Sequence, residues 1–137
     1  MDDKRTDIVN WTKFAAARAQ LGANFIRILG YFREDGDKAV ARIEAAMQGR
    51  DAAALVLPAH TLKSEARQFG ADRLGDVAEE IEMSARRAVE ARLFPDQILP
   101  QVAELRALYE ETATAFDAES NPLAVRRQPA QQLFGRR

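Results

Sequence analysis

Hydrophobic side chains recur every three or four positions through most of the chain, and short polar clusters interrupt this pattern. Such spacing places apolar residues on one face of an α-helix, whereas a half-buried strand shows strict alternation. The pattern predicts helices over about residues 7–20, 21–32, 37–48, 51–69, 72–92 and 98–118. No two segments show the alternation and turn residues of a β-hairpin, so the chain is predicted to be all-α.

Polar residues and glycines mark the predicted ends of the first three helices. Thr6 or Asp7 is the predicted N-cap of the first helix, because short polar side chains satisfy the free backbone N–H groups there. The polar run 34–36 predicts a break between the second and third helices. Gly49 is the predicted end of the third.

The fourth predicted helix contains a proline, which complicates its start. Asp51 is its predicted N-cap, but Pro58 removes a backbone donor and crowds the preceding turn. We expect a kink or an irregular turn over 54–58, or else a helix that begins only there. Gly70 is the predicted C-cap, and Asp72 opens the next helix.

Long amphipathic helices joined by short turns favour an antiparallel bundle. With 137 residues the chain is long enough for one hydrophobic core and too short for two ordinary domains. We therefore expect one domain over 1–119, an antiparallel four-helix bundle with additional N-terminal helices. Residues 120–137 lack periodicity and carry four arginines at 126, 127, 136 and 137, which predicts a mobile basic tail.

Composition and charge exclude several classes of protein. The formal net charge of −1 argues against a surface that binds nucleic acid over its whole extent. The chain has no cysteine, which excludes disulfides, thiolate zinc sites and thiol nucleophiles. We see neither a signal-peptide pattern at the N-terminus nor a run of about 18 apolar residues, so the expectation is a cytoplasmic protein outside the membrane.

The only histidine of the chain, His60, lies in the fourth predicted helix. At about 100° per residue, the apolar stripe of that helix passes through Leu55, Ala59, Leu62, Ala66 and Phe69. His60 falls on roughly the opposite side, where Lys63, Ser64 and Arg67 follow it at helical spacing. The imidazole is therefore expected to face water with cationic neighbours.

An exposed imidazole in this setting is a candidate phosphorus nucleophile. Its reference pKa of about 6.5 leaves one ring nitrogen with a free lone pair near neutral pH. Lys63, one turn further along, brings an ammonium within reach of phosphoryl oxygens, and Arg67 extends the same cationic edge. Without more context, however, a single exposed histidine is more often an ordinary surface residue.

The stretch from His60 to Glu82 resembles the histidine-containing phosphotransfer (HPt) family. The residues that carry this resemblance are His60, Leu62, Lys63, Ser64, Gly70, Ala71, Leu74 and Glu82. The resemblance implies a helical bundle over roughly residues 7–118, with His60 as the phosphoacceptor.

The family pattern also implies roles for the neighbours of the histidine. A small residue such as Ser64 lets the phosphoryl donor approach closely, and many relatives have glycine there. Glu82 takes the position of a side chain that hydrogen-bonds Nδ1, which would leave Nε2 as the phosphorylated atom. Glu65 departs from the pattern, since small residues are usual at its position, and it bears on the charge of the docking face.

By this resemblance the protein is an intermediate in a two-component phosphorelay. Its implied partners are receiver domains of response regulators and of hybrid histidine kinases. The receiver would bring Mg²⁺, and no cofactor or metal is expected in this chain. No glycine-rich nucleotide loop or Walker sequence is found, so we expect a phosphocarrier without kinase activity of its own.

Two other functions remain open from the residues alone. The bundle could dock on a kinase or a response regulator and regulate it without carrying phosphate, in which case His60→Ala would keep full activity. Alternatively, a helical adaptor could bind nucleic acid through its basic tail, although the near-neutral net charge disfavours this. We expect a monomer that binds neither nucleic acid nor membrane.

Overall fold

Residues 8–120 are described by the structure, a computed structural model of the chain, and their longer elements are all α-helices. These helices are α1 (Trp11–Leu21), α2 (Phe25–Gln48), α3 (Ala52–Gln68), α4 (Asp72–Ala91) and α5 (Leu99–Ser120). Short 3₁₀ turns, Gly22–Asn24 and Asp96–Ile98, precede α2 and α5. The tail predicted over 120–137 lies outside the described residues, apart from Ser120, which ends α5.

Helices α2 to α5 form the predicted antiparallel four-helix bundle. Each packs against the next in chain order, α5 returns to α2, and the most extensive packing joins α3 to α4. One additional N-terminal helix, α1, packs against α2 and α3. The prediction of an all-α bundle is thus confirmed, and the segments predicted as two helices over 21–32 and 37–48 form the single helix α2.

The predicted break at 34–36 is wrong, because α2 continues through it. Gly36 is buried inside the helix, where a Cβ would lie 2.4 Å from a ring carbon of Tyr109. The Tyr109 hydroxyl donates a hydrogen bond to the Arg33 carbonyl at 2.7 Å. Glycine inside a helix costs about 1 kcal/mol relative to alanine, but here it allows α5 to approach α2 closely.

Helix α1 begins at Trp11 after its N-cap Asn10, whose side chain accepts a hydrogen bond from the Lys13 backbone N–H at 3.1 Å. The predicted N-caps Thr6 and Asp7 lie outside the described residues. The next helix begins at Phe25 instead of residue 21, because Gly22 adopts a positive φ of 56° that ends α1.

The third helix of the structure starts at the predicted cap and passes through its proline. The Asp51 carboxylate accepts a hydrogen bond from the Ala54 N–H at 3.1 Å. Neither a break nor an irregular turn separates residues 54–58 from the rest of α3, so the later start is wrong. Gly70 follows the helix end with a φ of 83°, as its predicted capping role requires. The Asn10 N–H donates to the Gly70 carbonyl at 2.8 Å and ties α1 to this turn.

An aromatic cluster fills the end of the core beneath α1. Ring centroids of neighbouring members lie 5.1 to 6.5 Å apart, mostly edge to face, a favourable arrangement for aromatic pairs. The members are Trp11, Phe14, Phe25, Phe32, Phe69, Tyr109 and Phe116. Within residues 8–120, no helix is long and apolar enough to cross a membrane.

Candidate functional site

The tight hairpin of α3 and α4 brings His60 and Glu82 together. His60 lies ten residues before Gly70 and Glu82 lies twelve after it, so antiparallel helices of equal rise place the two side chains level. Small buried residues on both helices, Ala59, Ala66, Ala78 and Ala85, keep the helices close at this level. The sequence-predicted pair is therefore formed by the packing of the hairpin.

His60 presents one edge of its ring to the protein and the other to solvent. Nδ1 lies 3.0 Å from Glu82 Oε2, and 48% of the side chain is exposed. Nε2 has no hydrogen-bond partner among residues 8–120. The exposed position expected from the helical wheel is confirmed.

The Glu82 carboxylate is nearly inaccessible, with 3% of its side chain exposed, and it is surrounded by donors. Oε2 accepts from His60 and from Arg86, whose Nε and Nη2 lie at 2.9 and 2.8 Å. Lys63 Nζ lies 2.8 Å from Oε1, an ion pair whose approach is not that of a well-aligned hydrogen bond. One buried anion thus joins an imidazole and two cations.

These contacts keep Glu82 ionised and select the tautomer of the neutral His60 ring. Burial alone raises the pKa of Glu82, but the contacts with Lys63, Arg86 and His60 outweigh it and lower the pKa to about 2. Glu82 is therefore ionised at neutral pH and can only accept a proton from the ring. In the neutral imidazole Nδ1 then carries the hydrogen, and the Nε2 lone pair is free on the exposed edge.

Lys63 and Arg67 are held by acids of α4 instead of extending into solvent beside the ring. Lys63 has 18% of its side chain exposed, and its ammonium forms an ion pair with Glu82. Arg67 Nη2 contacts Asp76 Oδ1 at 2.9 Å and also Glu79, and its stem lies over Gly75, where a Cβ would be 2.8 Å from Arg67 Cγ. Arg67 therefore lies outside the cluster that surrounds Glu82.

Ser64 lies one turn after His60 and is exposed. Its hydroxyl makes no hydrogen bond within residues 8–120. A small side chain in this place leaves the approach to Nε2 open.

Glu65 is directed to the other side of α3, toward α2. Burial, the charge of Asp35 and a hydrogen bond with Asp35 together raise the pKa of Glu65 to about 7. Its buried Oε1 has no donor within residues 8–120. Glu65 is therefore directed away from the His60 face and is only partly ionised near neutral pH.

Arg86 is a site residue that the sequence reasoning missed. It follows Glu82 by four positions on α4, and its side chain is 51% exposed beside the carboxylate. The available signal was this spacing, since glutamate and arginine four residues apart commonly pair on a helix. Within residues 8–120, no three metal-ligating side chains come together in a group that could hold a metal ion.

The family model described as "Hpt domain" matches residues 27–115 of this sequence. The chain belongs to the Hpt domain family. The match begins in the first turn of α2 and ends in α5, so it includes all four bundle helices and leaves α1 outside.

The HPt chain is also similar to the crystal structure of histidine-containing phosphotransfer protein B (HptB) from Pseudomonas aeruginosa PAO1. The two are 26% identical with a TM-score of 0.56, and the similarity covers 78% of this chain and 95% of that one. No curated protein matches this chain.

Proposed function

We propose that the protein carries a phosphoryl group on His60, which it accepts from the aspartyl phosphate of one receiver domain and passes to the aspartate of another. The observation that carries this proposal is the 3.0 Å contact between His60 Nδ1 and the ionised, buried Glu82, which in the neutral, half-exposed ring leaves the lone pair on Nε2. Membership of the Hpt domain family and the similarity to HptB support it.

The transfer step follows from the ring's protonation state. The Nε2 lone pair attacks phosphorus, an N–P bond forms, and the P–O bond to the donor aspartate breaks with its electron pair left on the carboxylate. No proton has to leave, because the hydrogen stays bonded to Nδ1 and is donated in a hydrogen bond to Glu82 throughout. In the onward step the acceptor carboxylate attacks phosphorus and the N–P electron pair returns to Nε2.

The neighbours of the ring prepare this position for an anion. Lys63 and Arg86 carry two positive charges against the single negative charge of Glu82, so the cluster is net positive around a neutral His60. Arg86 is the more exposed of the two, and we assign it the contact with phosphoryl oxygens. Ser64 leaves room for the phosphoryl donor. Arg67 stabilises the α3–α4 hairpin through its ion pairs with Asp76 and Glu79.

In this proposal the chain supplies a positioned nucleophile, while the receiver supplies Mg²⁺ and the remaining catalytic groups. The chain is then a phosphocarrier and not a kinase. The regulatory binding module that works without phosphate is the alternative, and it assigns no role to the contact of His60 with Glu82.

The test is transfer of radiolabelled phosphoryl from phosphorylated receiver domains to the wild-type chain and to His60→Gln. We expect acid-labile, base-stable label on the wild type and none on His60→Gln. Circular dichroism of the variant should match the wild type, since His60 is exposed and outside the core. Label on His60→Gln would place the acceptor elsewhere, and no label on either chain would favour the phosphate-independent module.

A further inference from the structure

A groove of about 420 Å³ runs between α2 and α3, on the opposite side of α3 from Glu82. Its α3 wall comes from Ala53, Ala54, Leu57, Pro58 and Thr61, of which the last three lie within one turn of His60. Leu57, one turn before His60, has 69% of its surface exposed. An exposed leucine beside a reactive side chain is a candidate contact for a partner protein.

The α2 wall of this groove carries two cations that form no ion pair within residues 8–120. Lys38 and Arg42 lie four residues apart, so both point to one face of α2. Both are exposed, and neither has an ion pair or hydrogen bond within residues 8–120. Asp35 also lines the groove, but its carboxyl is hydrogen-bonded with Glu65. The groove therefore carries two cations against one engaged carboxyl.

A second groove of about 480 Å³, between α3 and α4, differs in its charges. It contains Arg86 and Arg87, but Arg86 is held by Glu82 and Arg87 donates to the Ser84 hydroxyl. Glu90 adds an opposing charge to the same lining. The α3–α4 groove thus combines cations that have hydrogen-bond or ion-pair partners with an acid, whereas Lys38 and Arg42 on the α2 side of His60 have no partner within residues 8–120.

We propose that the α2–α3 groove is the electrostatic half of the docking face for the receiver domain, and that it takes a receiver helix with an apolar edge and acidic side chains one turn apart. This inference rests on the proposed function. The spacing of Lys38 and Arg42 matches acids at i and i+4 on such a helix, and Leu57 matches its apolar edge. The groove is continuous with the His60 face through Leu57 and Thr61.

The physical role of the two cations is to raise the rate of productive encounter. Opposite charges on two docking surfaces can raise association rates by about 10-fold to 10³-fold at low ionic strength, and salt screens the effect. Lys38 and Arg42 do not contact His60 or Glu82 in the structure, so the chemical step itself should not depend on them.

The test compares Lys38→Glu/Arg42→Glu with the matched control Arg27→Glu/Arg73→Glu. The control makes the same change in net charge at exposed arginines near the other end of the bundle, where Arg27 contacts only Asn24 and Arg73 has no partner within residues 8–120. The probe is a panel of isolated, phosphorylated receiver domains, with transfer to His60 measured against receiver concentration at several NaCl concentrations.

For a receiver that phosphorylates the wild type, we expect Lys38→Glu/Arg42→Glu to lower kcat/KM by about tenfold or more at low salt. The rate at saturating receiver should stay within about twofold, and the deficit should shrink as salt rises. The control should stay within about twofold throughout. An unchanged kcat/KM in the groove variant, or an equal loss in both variants, would overturn the inference.

Phosphorylation by phosphoramidate, a small donor that needs no docking surface, separates the remaining outcomes. Equal labelling of the wild type and the groove variant shows that the fold and the nucleophile are intact. A groove variant that also fails with phosphoramidate contradicts a docking role. A wild type that accepts phosphoryl from no receiver contradicts the proposed function instead.

Discussion

Replacing Glu82 should change which ring nitrogen of His60 carries the proton. In the wild type the ionised carboxylate accepts from Nδ1 at 3.0 Å, so in the neutral ring the hydrogen is on Nδ1 and the lone pair is on Nε2. Glu82→Ala removes this acceptor and leaves Lys63 and Arg86 facing each other without their shared counter-charge. Glu82→Gln is the matched control, because its amide oxygen can still accept from Nδ1 while the charge is lost.

The size of the effect follows from the one hydrogen bond that is lost. A hydrogen bond to a charged group contributes about 1.5–3 kcal/mol, which corresponds to about 10-fold to 150-fold in rate if it is needed in the transition state. We therefore expect Glu82→Ala to slow phosphorylation of His60 by about that factor, and Glu82→Gln to stay within about tenfold of the wild type.

The assay has two readouts. Phosphoramidate labelling gives the rate, and ¹⁵N spectra of the imidazole give the tautomer without an assignment problem, since the chain has one histidine. In the wild type at a pH where the ring is neutral, Nδ1 should carry the hydrogen. In Glu82→Ala the spectrum should show a mixture of tautomers.

Glu82→Ala should also lower the stability of the fold, and a loss of rate can be interpreted only when the variant is folded. The variant leaves two cations near each other at a partly buried place, and such unpaired charges destabilise a fold. Rates should therefore be compared at a temperature where circular dichroism shows each variant folded. If folded Glu82→Ala kept both the Nδ1–H tautomer and the wild-type rate, the assigned role of Glu82 would be wrong.

Three further predictions concern other residues. Glu65, with its pKa raised to about 7 from an ordinary 4.5, should make the free energy of unfolding fall by about 1–2 kcal/mol as pH rises from about 4.5 through 7; denaturation series should show a flatter profile for Glu65→Gln, and an unchanged profile would contradict the raised pKa. Gly36→Ala should destabilise by about 1–3 kcal/mol through its clash with Tyr109, while Gly30→Ala, in open space on the same helix, should stabilise by about 0.5–1 kcal/mol; equal Tm shifts would refute this difference. Arg67→Ala should leave the phosphoramidate rate within about threefold, and a loss as large as that of Glu82→Ala would place its guanidinium in the transfer step.

The helical fold could be predicted from the spacing of hydrophobic residues, but the course of α2 could not. The run 34–36 has the composition of a loop, and Gly36 is a poor residue for a helix interior. The deciding contact is the close approach of Tyr109, which is 73 positions further along the chain. Local preference was overridden by a long-range contact that a periodic pattern does not contain.

The centre of the site was predicted better than its periphery. His60, Lys63 and Glu82 come together because a single hairpin sets their register, and hairpin register can be read from helix lengths and the turn at Gly70. Arg86 was missed because its role becomes apparent only once Glu82 is known to face inward.

Arg67 and Glu65 show where reasoning from one helix fails. The direction of Arg67 is set by Asp76 and Glu79 on α4, and that of Glu65 is set by its packing beside Asp35 on α2. A helical wheel gives the face on which a side chain begins. It does not give the partner on a neighbouring helix that decides where a long side chain ends.

The central claim is that Glu82 directs the phosphoryl group to Nε2 of His60. The most direct measurement is the ¹⁵N and ³¹P spectrum of uniformly ¹⁵N-labelled protein after phosphorylation by phosphoramidate or by a receiver. We predict a single phosphohistidine with phosphorus coupled to Nε2 and a hydrogen retained on Nδ1. Phosphorus on Nδ1, or a phosphorylated chain whose imidazole is unmodified, would contradict the account.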